Sequence, residues 1–111
     1  PAAPGRPQRS LQEARRVVYV QGTFDILHAG HVGLLEKAAA RGDYLLVGLH
    51  SDESVRKHRG SPPVLTLLER AMAVLAMGVV DDVVLGAPWE LGRELVTTMN
   101  VSAVVVGRKR A

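Results

Sequence analysis

Two histidines three residues apart, His28 and His31, are the side chains of this sequence best suited to chemistry near neutral pH. They lie in the stretch QGTFDILHAGH, Gln21 to His31, directly after the apolar run VVYV. Gly22 opens the stretch, Thr23 adds a hydroxyl donor, and Gly30 stands just before the second histidine. If a helix begins near Ala29 or Gly30, His28 sits at its mouth and His31 in its first turn, on about the same side. The free N–H groups and positive dipole end of such a helix favour an anion. Gly22 would let the backbone turn tightly and approach a phosphate, and Gly30 would admit a ligand close to the helix start. Together these groups suit a phosphate that gains charge in a transition state.

Three other uses of the same residues compete with that one. A single histidine at this place would simply cap the helix or pack against it. A zinc pair would need further ligands. The chain has no cysteine, and no third ligand stands at an obvious spacing, so no metal site is assigned. The dinucleotide fingerprint G-x-G-x-x-G is not met, because Gly22 is followed by TFDILHAG.

The elements that must position this cluster can be read along the chain. Four short apolar runs occur, VVYV (17–20), YLLVGL (44–49), VVDDVVLG (79–86) and VSAVVVG (101–107). Between them the spacing turns helical. Val32, Leu35 and Ala39 share a face in 31–41, and Leu91, Leu95 and Met99 recur every fourth residue in 90–99. Thr66 and Glu69 stand at capping-box spacing ahead of an apolar run. A further short helix is expected after Ser51, with Asp52 and Glu53 in its first turn, ending before the RGSPP loop. Apolar strands alternating with helices of about ten residues predict a parallel sheet with helices on both faces, a three-layer αβα, Rossmann-like α/β fold. In such sheets ligands sit beyond the carboxyl ends of the strands. That rule selects QGTFD, HSD, GAPW and GRKR, and the histidine cluster belongs to the first of these.

Composition narrows the class. At 111 residues, with 47% apolar side chains, the chain suits one small folded domain. No apolar run approaches the roughly 18 residues of a membrane span, and no signal-peptide pattern is present. The opening residue is proline, which fits a piece excised or processed from something longer. The formal charge of +3 suggests nucleic acid until it is located. Residues 1–16 and 108–111 hold seven of the 14 Lys and Arg and one of the 11 acids, leaving 17–107 with seven bases against ten acids. A body of net charge −3 lacks the basic face that a phosphate-backbone binder needs, so no nucleic-acid partner is expected. The Pro- and Arg-rich segment 1–16 reads as a flexible arm or linker, and 17–111 as the domain.

At this point GTFDILHAGH resembles the G-x-F-D-x-x-H-x-G-H signature of the cytidylyltransferase group of nucleotidyltransferases. The resemblance extends through GDYLLVGLHSDE, KHRGSPPV, Glu69–Arg70, VVDDVV and GAPW, about residues 17–107. Its details look most like the ethanolamine-phosphate cytidylyltransferases, in particular their second catalytic-type half. It implies a nucleotidyltransferase fold and transfer of CMP from CTP to phosphoethanolamine, with release of pyrophosphate and assistance from Mg2+. His28 and His31 would be catalytic. Gly22, Thr23, Phe24, Asp25, Gly30 and Arg59 would bind nucleotide, and Asp52 and Trp89 would face the phosphoalcohol. Trp89 could equally be a packing residue, and Asp52 a first-turn acid serving its helix dipole. A cytoplasmic or membrane-peripheral location, and pairing with a second half or as a homodimer, follow from the family alone.

The chain also departs from the family pattern. Arg59 replaces a lysine before the glycine of the loop after strand two. Gly78 stands where an arginine is common, and Val106 where a histidine is. The family's downstream R-T-x-G-x-S-T segment would fall beyond Ala111, so the nucleotide site is expected to be truncated and the isolated chain to turn over little. A degenerate half with a structural or regulatory role is therefore the alternative. Adenylyltransferases and glycerol-3-phosphate cytidylyltransferases share the same cluster.

Overall fold

β-branched and leucine side chains dominate the strands, and they pair as four parallel strands in the order β3-β2-β1-β4. The structure is a computed structural model and describes residues 10–106. In chain order the elements are a 3-10 turn (Leu11–Glu13), β1 (Val17–Gly22), α1 (Ala29–Ala39), β2 (Tyr44–Leu49), α2 (Asp52–Arg59), α3 (Leu67–Leu75), β3 (Asp82–Leu85), α4 (Arg93–Thr98) and β4 (Val101–Val104). β1 and β2 pair in register from Val17 opposite Tyr44 to Gly22 opposite Leu49.

Alternation along β1 and β2 divides the core. Val18, Val20, Leu45, Val47 and Leu49 face Leu35, Ala38 and Ala39 of α1 and Ala71 and Val74 of α3. Val17, Tyr19, Tyr44 and Leu46 face the other way, under Leu11, Ala14, Leu91, Leu95 and Met99. Side chains of period two buried on both sides give the three-layer αβα arrangement that the apolar runs predict.

Some boundaries differ from the sequence pattern. β3 begins only at Asp82, because Asp81 turns its carboxylate onto the Leu45 N–H at 2.7 Å and its own N–H onto the Leu45 carbonyl. α4 covers Arg93–Thr98 rather than 90–99, with Gly92 as its N-cap and Asn100 left-handed after its end. Leu91 and Met99 still pack beneath the sheet from either side of the shorter helix. β4 shifts register against β1 between Val17 and Val18, and the Ser102 hydroxyl accepts the Val17 N–H there.

Within the segment 1–16 read as a linker, residues 1–9 lie outside the described residues, and residues 10–16 are fastened to the domain. Ser10 and Glu13 cap the 3-10 turn reciprocally, and Leu11 and Ala14 join the second core cluster. The Asp43 carboxylate accepts the backbone N–H groups of Arg15 and Arg16, while Arg16 Nε donates to the Arg41 carbonyl at 2.7 Å. Two apolar side chains in a polar stretch carry little periodic signal, which is why the pattern missed them. The expected GRKR loop also lies outside the described residues, as does the end of the last apolar run.

Candidate functional site

The carboxyl end of β1 opens into a cleft of about 350 Å³, lined in part by Gly22, Thr23, Phe24, Asp25, His28, His31 and Arg59. All the nucleotide-facing residues expected from sequence except Gly30 thus border one space, together with both histidines. Gln21, Ile26 and Leu34 complete the lining.

α1 begins at Ala29, and its cap is made by the histidines themselves. His28 Nδ1 accepts the Gly30 N–H at 3.0 Å, and His31 Nδ1 accepts the His28 N–H at 3.3 Å, a reciprocal capping box. The helix-capping alternative and the ligand reading are therefore compatible, because each ring has two nitrogens. A ring that accepts at Nδ1 carries its proton on Nε2 when neutral. Both imidazoles are thereby set as Nε2–H donors, and their rings lie 4.0 Å apart between centroids.

The glycines act differently from what spacing suggests. A Cβ on Gly30 would come within 2.9 Å of His28 Cε1, so this glycine clears room for the capping ring. A Cβ on Gly22 would press on the Phe24 ring at 3.0 Å. The left-handed residue of the turn is Phe24, at φ 49°, rather than Gly22. Phe24 is held there by burial in the first core cluster and by its tilted contact with His31, at 5.3 Å between centroids.

Thr23 is 5% exposed, and its Oγ1 is buried without a hydrogen-bond partner. Leaving a buried hydroxyl unpaired costs about 1–3 kcal/mol. Thr23 is among the residues lining the cleft that holds both histidines.

Asp25 lines the cleft, yet its carboxylate is engaged elsewhere. Its two oxygens accept the Val64 and Leu65 N–H groups, both at 2.8 Å. This pins the loop that leads into α3, so Asp25 positions the site rather than offering a bare carboxylate to nucleotide. α3 then carries Arg70, wholly buried, whose Nε, Nη1 and Nη2 donate to Leu65 O, Thr23 O and Asp52 Oδ1 at 3.2, 2.9 and 2.6 Å. Asp52 does sit in the first turn of α2, and it also forms this ion pair. Arg70 ties the loop after β1 to the start of α2. Sequence marks it only as part of a motif, since its partners lie 18 and 47 residues away.

A second group gathers beyond β2 and β3. His50, 5% exposed, places Nδ1 at 3.1 Å from the Ala87 carbonyl oxygen. Its ring lies 4.7 Å from that of Trp89, and His58 stacks on the same indole at 4.4 Å and 3°. The Arg59 guanidinium is 5.9 Å from the indole centroid. Trp89 thus packs among these side chains beyond the carboxyl end of β3, the strand end at which GAPW was expected, with His58 stacked along its indole plane. Burial lowers the His50 pKa, and the positive charges of Arg59, Arg70 and His58 lower it further against the opposing bond to Ala87. Spacing gave no sign that His50 is buried.

The Trp89 loop is held by the core. Gly48 leaves space for the Tyr19 phenol, since a Cβ there would lie 2.0 Å from its oxygen. That phenol donates to Gln21 Oε1 at 2.7 Å, and Gln21 Nε2 donates to the Pro88 and Trp89 carbonyls at 3.0 and 3.1 Å. Burial pushes the Tyr19 pKa up to about 12.

The parallel sheet thus carries a capped histidine cluster and a buried, unpaired hydroxyl at its carboxyl end, and comparison with known proteins shows the family. The family model described as cytidylyltransferase-like matches residues 19–110. The chain belongs to the cytidylyltransferase-like family. It is 48% identical over 93 residues to an ethanolamine-phosphate cytidylyltransferase of Arabidopsis thaliana, covering 83% of this chain and 22% of that protein. It is 42% identical over 94 residues to an FAD synthase of Pyrococcus abyssi, covering 84% and 64% respectively. The crystal structure of a lipopolysaccharide core biosynthesis protein from Thermoplasma volcanium superposes with a TM-score of 0.64 at 24% identity, over 86% of this chain and 98% of that one, which shows the fold.

The departures from the family pattern also have places in this cytidylyltransferase-like domain. Arg59 reaches both the histidine cleft and Trp89. Gly78 is left-handed at φ 84° in the turn after α3, a conformation that disfavours an arginine there. Val106 is 81% exposed. Among the described residues, no group of three or more His, Cys, Asp or Glu is gathered as a metal site, and no helix is long and apolar enough to cross a membrane.

Proposed function

We propose that this chain supplies the nucleotide-handling part of an ethanolamine-phosphate cytidylyltransferase, which transfers CMP from CTP to phosphoethanolamine with release of pyrophosphate. The observation that carries the reading is the cleft that brings Thr23, whose hydroxyl has no partner in the protein, together with His28 and His31. A phosphate oxygen there would satisfy it. The Nε2–H groups of His28 and His31 donate to the phosphates of CTP. A phosphoethanolamine oxygen attacks the α-phosphorus in line, forming the new P–O bond as the bond to the β-phosphate oxygen breaks. Charge builds on the transferring group and the departing pyrophosphate, and fixed donors favour that distribution over the ground state. Asp52 and Trp89 belong to the phosphoethanolamine side, and Arg59 to the phosphates between.

Asp25 is the one carboxylate lining the cleft, and both its oxygens accept backbone N–H groups. The cleft therefore does not present the oxygen ligands of a resident Mg2+. Magnesium enters this reading as part of the Mg–CTP substrate.

The chain spans 22% of the plant relative, so the activity belongs to a longer assembly in which a second half or second copy is proposed to take part. Similarity to an FAD synthase supports a second reading, adenylyl transfer from ATP. Calorimetric titration with Mg–CTP and Mg–ATP, beside a His28→Ala control, separates the two. Selective CTP binding lost in the control supports the cytidylyl reading. Preference for ATP favours the second, and absence of any nucleotide binding by the folded chain contradicts both.

A further inference from the structure

His50 is set the opposite way from the histidines of the cleft. A carbonyl oxygen only accepts, so the 3.1 Å contact of Nδ1 with Ala87 O places the ring proton on Nδ1. The neutral ring then presents a lone pair at Nε2, which makes no hydrogen bond to protein among the described residues. Its lowered pKa keeps that ring neutral at pH 7. Asp52, two residues on, uses Oδ1 for Arg70, and its side chain remains 47% exposed.

We propose that His50 Nε2, together with the Asp52 carboxylate, accepts N–H bonds from a primary ammonium on the accepting substrate, so that this chain selects a primary over a quaternary amine. The inference rests on the reading of phosphoethanolamine as acceptor and names the group that recognises its amine. A quaternary ammonium has no N–H to give and is held by aromatic faces instead. The chain has four aromatic residues of the Phe, Trp and Tyr types. Tyr19, Tyr44 and Phe24 are buried at 0, 5 and 5% exposure. Trp89 is left alone, with His58 stacked on it and Arg59 at 5.9 Å. One indole with a face covered by His58 makes a poor cage. A lone pair and a carboxylate make a good seat for –NH3+, while exposed Arg59 suits the phosphate end of the same molecule.

The test is calorimetric titration of the chain with phosphoethanolamine and with phosphocholine, for wild type, His50→Asn and His50→Ala. Asparagine can give a side-chain N–H to Ala87 O while placing nothing at the position of Nε2. The wild type is expected to prefer phosphoethanolamine by about tenfold, the effect of one charge-assisted hydrogen bond. H50N should lose that preference while its thermal midpoint stays near wild type. A purely structural His50 would instead lose stability in H50A and keep its preference in H50N. Absence of phosphoethanolamine binding in the wild type, or a preference that survives in H50N, overturns the proposal. Should H50N fail to fold, the 15N shift of His50 Nε2 in the wild type decides: it must move with phosphoethanolamine and not with phosphocholine. Because the amines are titrated without nucleotide, failure of CTP binding counts against the cytidylyl reading alone.

Discussion

The two histidine groups of this domain sit at neighbouring strand ends and are wired in opposite senses. At the end of β1, His28 and His31 receive backbone N–H groups at Nδ1 and so turn donors outward from Nε2. At the end of β2, His50 faces a backbone carbonyl with Nδ1 and turns an acceptor outward. The backbone element beside each ring decides this. A helix start offers N–H groups, whereas the Ala87 segment offers a carbonyl. One residue type thereby presents a donor in one place and an acceptor in the next, the pair of groups that the proposals above assign to a phosphate and to an ammonium. Arg70 joins the two, donating to Thr23 O on one side and to Asp52 on the other.

Breaking that joint should have the largest effect. Arg70→Ala strands Asp52, the buried Thr23 carbonyl and the part-buried Leu65 carbonyl, and is expected to cost about 3 kcal/mol in denaturant unfolding. Both ligand affinities should fall with it. If Arg70→Ala weakened only one ligand, the two regions would be independent.

Within the donor region, capping and ligand binding can be separated. His28→Asn keeps a capping acceptor and loses Nε2, while His28→Ala loses both. Each should reduce nucleotide affinity about tenfold or more, but only the alanine variant should also lose about 1 kcal/mol of stability. Equal stability loss in both would show that the cap depends on the imidazole itself.

Thr23→Val sharpens the contrast further. The hydroxyl has no partner in the protein, so its removal should leave stability unchanged or raise it by about 1 kcal/mol. Nucleotide affinity should nevertheless drop about tenfold in calorimetry. A stability loss would mean that the hydroxyl bonds within the protein.

The smallest effect is the pH response of the acceptor region. The folded-state pKa of His50 lies below the unfolded value of 6.5. The unfolded chain therefore binds more protons as pH falls below 6.5, and stability drops through the folded-state value. The wild-type stability curve should decline on the acid side relative to His50→Asn, and parallel curves would contradict the buried neutral ring.

Much of this architecture was legible because its causes are local. The apolar runs gave the strands, the Thr66–Glu69 capping box recurs with Thr66 Oγ1 accepting the Glu69 N–H at 3.2 Å, and Asp52 falls in the first turn of α2. The cluster from Gly22 to His31 was also legible, since it lies within ten residues and borders one cleft. What stayed hidden depends on distant partners. Asp25 reads as a ligand until Val64 and Leu65 take both its oxygens. Arg70 reads only as part of a motif, and His50 as one letter of a strand end, until packing brings Thr23 and Ala87 to them. Nothing in a periodic pattern specifies which nitrogen of a histidine meets a carbonyl, yet that contact sets the sign of the group it presents.

The most direct test is a long-range 1H–15N correlation spectrum of the histidine rings near pH 7.5, with His28, His31 and His50 assigned by substitution. Protons are expected on Nε2 of His28 and His31 and on Nδ1 of His50. A His50 ring protonated on Nε2, or cleft rings protonated on Nδ1, would contradict that placement.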